Sequence, residues 1–124
     1  IYTTAIPPAQ AAAIEQSIRL VQQEPQLRRR VRELTIRLRE GLKAQGWTLI
    51  PQGEHVVPIV PLVVGQAKDA VALAEHCYAH GILAAPIRPP TVAPGSSRVR
   101  LSLRADMDEQ HVDQALSVIA GFTR

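Results

Sequence analysis

At 124 residues, 46% of them hydrophobic and 20% charged, the chain has the composition of one globular domain, able to bury roughly two-thirds of its unfolded surface. A single cysteine, Cys77, excludes an intramolecular disulfide framework and suits a reducing, cytoplasmic setting, while no apolar run approaches the roughly 20 residues that span a bilayer, so no membrane partner is expected. The net charge of +3 comes from arginine, yet Tyr2, Trp47, Tyr78 and Phe122 are too few for base stacking, which argues against a nucleic-acid partner.

The opening Ile1-Tyr2-Thr3-Thr4 is strand-like and lacks a start methionine, which points to a chain that begins inside a larger protein. Pro7 and Pro8 stand where a helix can start, and residues 9–23 are strong helix formers with Ala13, Ile14, Ile18 and Val21 on one side. Pro25 opens a second helix that ends near Gln45, with Gly46 as its natural stop. That helix carries Arg28, Arg29, Arg30, Arg32, Arg37 and Arg39. Leu27, Val31, Leu34, Leu38 and Leu42 form its apolar stripe, so the arginines read as a solvated flank, with Glu33 placed to pair with Arg37, rather than as a phosphate footprint.

Residues 47–50 predict a short strand, and residues 56–64 a β-branched one that Pro58 and Pro61 demote in part to an edge or an irregular strand. Residues 67–80 predict an amphipathic helix closed by Gly81, residues 82–87 another strand, and residues 108–120 a last helix with Val112, Ala115, Leu116 and Ile119 facing inward. The expected fold is α+β in a single domain over 1–124, with a small, mainly antiparallel sheet of three to four strands covered on one face by helices.

The most informative stretch is Arg88-Pro89-Pro90-Thr91-Val92-Ala93-Pro94-Gly95-Ser96-Ser97-Arg98-Val99-Arg100-Leu101-Ser102-Leu103. Prolines stiffen the loop, Gly95 lets it turn, and the strand that follows alternates. Arg98, Arg100 and Ser102 should point one way and Val99, Leu101 and Leu103 the other. Two guanidinium groups on one face beside a rigid loop can clamp a carboxylate or phosphate, or simply face solvent.

The same loop and strand resemble the C-terminal motif of the α-oxoamine synthases, fold-type I pyridoxal-phosphate enzymes that condense an amino acid with an acyl thioester and release CO2. Ile1-Tyr2-Thr3-Thr4-Ala5-Ile6-Pro7-Pro8-Ala9-Gln10 is similar to the segment leading into that family's small domain, with residues 1–8 as the lead-in. Within the family, Arg-Pro-Pro-Thr-Val most resembles members that join L-alanine to a pimeloyl thioester in biotin biosynthesis. The resemblance implies a large cofactor-binding domain elsewhere in the same polypeptide, a homodimer, and pyridoxal 5'-phosphate in the intact enzyme. It assigns Arg100 to the carboxylate of the amino acid and Thr4 to the cofactor phosphate of the neighbouring subunit, with Tyr2 and Thr3 nearby. Arg88 would meet a second anion such as the pimeloyl carboxylate, and Arg98 would be structural or at the rim. Two departures concern the acyl donor rather than Arg100. Thr91-Val92-Ala93-Pro94-Gly95 places its proline one residue later than the family's Thr-Val-Pro-x-Gly, and Ala105-Asp106-Met107 replaces Ala-Ala-His.

Other reactive residues read as structural. His76 and His80 have a metal-pair spacing but no evident third ligand, and the helix dipole accounts for His80. Cys77 lies on an apolar helix as a small core residue. Lys43 and Lys68 sit among polar neighbours near helix ends, where an amine stays protonated, so neither suits a Schiff base and the chain alone is expected to be inert. Two alternatives remain open: an α-oxoamine synthase using glycine or serine with a different acyl-CoA, and a non-catalytic anion-binding or interaction module.

Overall fold

A computed structural model describes residues 5–51 and 56–123. Helix α1 (Pro8–Gln23) and helix α2 (Pro25–Ala44) are separated only by Glu24, and each has its proline in the first turn, where a missing N–H costs nothing. Two helices stop in the same way. At the end of α2 the Trp47 N–H donates to the Leu42 carbonyl and the Gly46 N–H to the Lys43 carbonyl, with Gly46 at φ +80°. Helix α3 (Ala67–Ala79) ends with Ile82 donating to Cys77 and Gly81 to Tyr78, and Gly81 at φ +78°. Both are Schellman motifs, whose left-handed residue is cheap only for glycine. Helix α4 (Glu109–Ala120) starts at Asp108, whose carboxylate accepts from the His111 N–H while the His111 ring accepts from the Asp108 N–H.

Strands β1 (Thr48–Leu49), β2 (Ile59–Gly65), β3 (Ala85–Ile87) and β4 (Ser97–Ser102) form one antiparallel sheet in the order β1-β2-β4-β3. Val60 and Leu62 of β2 and Val99 and Leu101 of β4 face α2, α3 and α4 across a core completed by Leu34, Leu38, Leu42, Leu73, Cys77, Val112 and Ile119. The helices therefore cover one face, as the alternation in β4 requires.

Three expectations need correction. Of the two expectations for the strand around Pro61, the edge fails because β2 is interior, and the irregular one holds, the register slipping between Val63 and Gly65. The Pro61 carbonyl accepts from the Ile50 N–H, so its nitrogen also points toward β1 and takes no bond from the β2–β4 ladder. The strand expected over residues 82–87 shortens to β3, because the α3 stop consumes the Ile82 N–H. Arg37 pairs with Asp113 of α4 (Nε–Oδ1 3.0 Å, Nη2–Oδ2 2.9 Å), a two-toothed contact that a same-helix Glu33 offers less readily. Arg30 likewise reaches the Met107 carbonyl at 3.0 Å and Arg39 the Ile50 carbonyl at 3.1 Å, so part of the arginine flank ties α2 to its neighbours.

The apolar stripe of α2 is buried only at Leu34, Leu38 and Leu42, while Leu27 is exposed. Among the described residues helix α1 packs on α2 alone and buries none of its own residues, so Ile14, Ile18 and Val21 are exposed there.

Candidate anion site on the open face of the sheet

The register of β2, β4 and β3 defines what surrounds the arginines. Residues paired across antiparallel strands share a face. Arg100 stands between Pro61 and Ala85, Arg98 between Val63 and Ile87, and Ser102 beside Ile59. Among the described residues no helix packs on this face. The result is a mostly apolar floor with two guanidinium groups rising from it.

The two arginines differ. Arg98 is half-buried, and its Nε donates to the Ser96 carbonyl at 3.1 Å, with Nη2 3.5 Å from the Ser96 hydroxyl. Arg100 is exposed, and its guanidinium makes no hydrogen bond or ion pair among the described residues. A free guanidinium on an apolar floor is a ready partner for a planar anion, because its fork needs no reorganisation to take a carboxylate in two parallel bonds. Arg100 also rims a cavity of about 440 Å3 whose walls include Leu83, Leu101, Leu103, Met107 and Val112.

Arg88 is placed elsewhere. It leaves the end of β3 toward α3 and lines a shallow depression with Lys68, Val71 and Glu75. The structure thus does not bring Arg88 and Arg100 to one pocket. Thr4, with Tyr2 and Thr3, lies outside the described residues. Reading the sequence for charge missed Ser96. The signal for it was the Pro94-Gly95 pair, which makes a turn between Ala93 and Ser96 closed by the Ser96 N–H to the Ala93 carbonyl at 3.1 Å.

The remaining reactive residues have structural surroundings. Burial pushes the Cys77 thiol up from its ordinary range, the opposite of what a nucleophile needs. His76 Nε2 lies 2.9 Å from the Val118 carbonyl and His80 Nδ1 2.8 Å from the His76 carbonyl. Among the described residues no three His, Cys, Asp or Glu side chains gather as metal ligands. Nor is any helix among them long and apolar enough to cross a membrane. Lys43 and Lys68 are exposed, on α2 and α3 respectively, away from the open face.

An α+β unit with a four-stranded antiparallel sheet, three helices on one face and arginines on the other is the build of a small domain in fold-type I enzymes. The chain belongs to the aminotransferase class I and II family, whose sequence profile matches residues 1–119. Within it, the chain is similar to the 8-amino-7-oxononanoate synthase of Cellvibrio japonicus, 44% identical over 96% of this chain and 29% of the relative. It is also similar to that of Aeromonas hydrophila, 42% identical over 96% of this chain and 29% of the relative. A serine palmitoyltransferase structure from Sphingomonas wittichii superposes with a TM-score of 0.88 at 26% identity, over 97% of this chain and 30% of that one. The chain spans about 30% of the length of the curated relatives it matches.

Proposed function

We propose that this chain is the small domain of a pyridoxal-phosphate-dependent acyltransferase that condenses L-alanine with a pimeloyl thioester, with decarboxylation, to 8-amino-7-oxononanoate. The single observation that carries the reading is Arg100, exposed and unpaired on the open face, the residue to which the motif resemblance assigns the amino-acid carboxylate. The names of the 42–44% identical relatives support the choice of substrates.

Pyridoxal phosphate, when bound, supplies the electron sink for bond-breaking at the amino-acid α-carbon. The residues here fit the substrate side of such a site. Arg100 takes the amino-acid carboxylate on its fork and so fixes the orientation of the α-carbon. The small, apolar side chains of Pro61 and Ala85 beside it leave room for a substrate while reducing competition from water. Thr4 is assigned a hydrogen bond to the cofactor phosphate across a homodimer interface, and Arg88 a second anion such as the pimeloyl carboxylate. Neither Lys43 nor Lys68 shares the open face, so the cofactor-bearing lysine is assigned to a large domain of the same polypeptide.

The deciding experiment supplies the enzyme that carries this domain with cofactor, L-alanine and pimeloyl thioester, and follows product and CO2. The 124-residue chain alone should yield neither. The fold likeness to a serine palmitoyltransferase favours one other reading, condensation of serine with a long-chain acyl-CoA. Faster turnover with that pair than with alanine and pimeloyl thioester would select it.

A further inference from the structure

We propose that the cavity rimmed by Arg100 is a binding site for a medium-chain aliphatic carboxylate, with the chain in the cavity and the carboxylate on the guanidinium. The site stands on the cavity and the free guanidinium. Only its consequence for catalysis rests on the reading of Arg100 as the amino-acid ligand.

The cavity follows from the way α3 stops. The Ile82 N–H donates to the Cys77 carbonyl in that stop, and β3 does not begin until Ala85, opposite Arg100. Past that pair, Leu101 and Ser102 of β4 have no strand beside them on the β3 side among the described residues. The sheet is therefore open at this point, and an arginine from its uncovered face and leucines from its covered face border one space. That space, of about 440 Å3, is lined by the end of β4, residues 81–85 and α4.

The lining is sorted by depth. Its buried members, Leu38, Leu101, Leu103 and Val112, are all aliphatic, with half-buried Met107 and Ala115 beside them. The basic members are exposed and form the rim. Arg104 already faces an acid, its Nε donating to Asp106 Oδ1 at 2.9 Å, and His111 lies against the Asp108 carboxylate. The Arg100 guanidinium is the one without an acidic partner among the described residues. Leu83, 85% exposed, adds an apolar edge to the same rim.

An apolar floor beneath one uncompensated guanidinium selects an amphiphile. A small inorganic anion would leave the floor empty, and a neutral lipid would leave the guanidinium unmet. A carboxylate head matches the planar fork of Arg100 in two parallel bonds. At about 30 Å3 for each methylene-sized group, the volume of a water in the liquid, a chain of about eight carbons takes roughly 240 Å3 and fits. If Arg100 also holds the amino-acid carboxylate, the two acids exclude each other, and the chain acid restrains the enzyme at its amino-acid step.

The test is isothermal titration calorimetry of butanoate, hexanoate and octanoate into the enzyme that carries this domain. Affinity should rise about fourfold with each added methylene. Suberate, the diacid of octanoate's length, should bind about tenfold weaker or worse because its second carboxylate would be buried, and 1-octanol should do the same for want of a charge. Arg100→Ala should weaken octanoate about tenfold and leave 1-octanol unchanged, whereas Ala115→Phe, which fills the cavity, should weaken both. Octanoate that binds no better than 1-octanol, or is unaffected by Arg100→Ala, overturns the site, as does an affinity independent of chain length. Octanoate that binds as expected yet leaves an L-alanine titration unshifted would uphold the site and overturn the reading of Arg100 as the amino-acid ligand.

Discussion

The two faces of β4 are built from neighbouring residues and have opposite fates. Val99 and Leu101 are sealed beneath α2, α3 and α4, whereas Arg98, Arg100 and Ser102 share a face that no helix among the described residues covers. The sealed face is solved within the chain, since every apolar side chain there finds another. The open face is unfinished, with Ile59, Pro61, Val63 and Ile87 forming a floor around charge. One strand thus carries both the stability of the domain and its candidate chemistry, and the period of two keeps them apart. Helix α1 is unfinished too, but its exposed Ile14, Ile18 and Val21 lie among Gln10, Ser17 and Gln22, with no charged group in the depression they line.

Substitutions on either face should separate these roles. The largest effect belongs to the sealed side. Leu62 is fully buried, so Leu62→Ala should destabilise the 124-residue chain by about 2–5 kcal/mol in a urea melt, through lost burial and the cavity left behind. Next comes the Arg37–Asp113 contact that binds α2 to α4. Its side chains are 47% and 52% exposed, so a double-mutant cycle should return a coupling of about 1 kcal/mol or less, falling with added salt.

A smaller effect is expected at the start of α4. The His111 backbone N–H, donating to it, holds the Asp108 carboxyl below the usual carboxylate range. Because its folded pKa is depressed, the carboxylate adds stability above its unfolded pKa, and that contribution disappears as pH falls through the folded value. Asp108→Asn keeps a capping oxygen without the charge, so the gap between wild type and variant should be present near neutrality and close in acid, as read from urea midpoints across pH. The smallest is Ser97→Ala. Among the described residues the buried Ser97 hydroxyl has no hydrogen-bond partner, so removing it should leave stability unchanged or slightly raised, whereas a clear loss would reveal a partner for it.

Much of this arrangement was legible in the residues. Pro25, Gly46 and Gly81 mark helix boundaries by local sterics alone, and Arg98 to Leu103 declares its two faces by alternation. Facts that depend on partners were less accessible. Pro61 reads as an edge residue until it is known which side its nitrogen faces, and Arg37 reads as a partner of Glu33 until α4 is in place. The α1 stripe promises burial that nothing among the described elements supplies. In the site, periodicity placed Arg98 and Arg100 on one face, but only the fold shows that Ser96 occupies one of them and that Arg88 lies against α3.

The central claim is that the free guanidinium of Arg100 binds the carboxylate of the amino acid. Titrating L-alanine into the enzyme that carries this domain, with the cofactor absorbance as readout, tests it directly. Arg100→Ala should weaken alanine binding by about a hundredfold, as loss of a two-toothed charged contact implies, and Arg100→Lys should recover part of that. Arg98→Ala should cost less than Arg100→Ala in the same titration. Normal alanine binding by Arg100→Ala, with Arg98→Ala the damaging change, would contradict the assignment of roles along this strand.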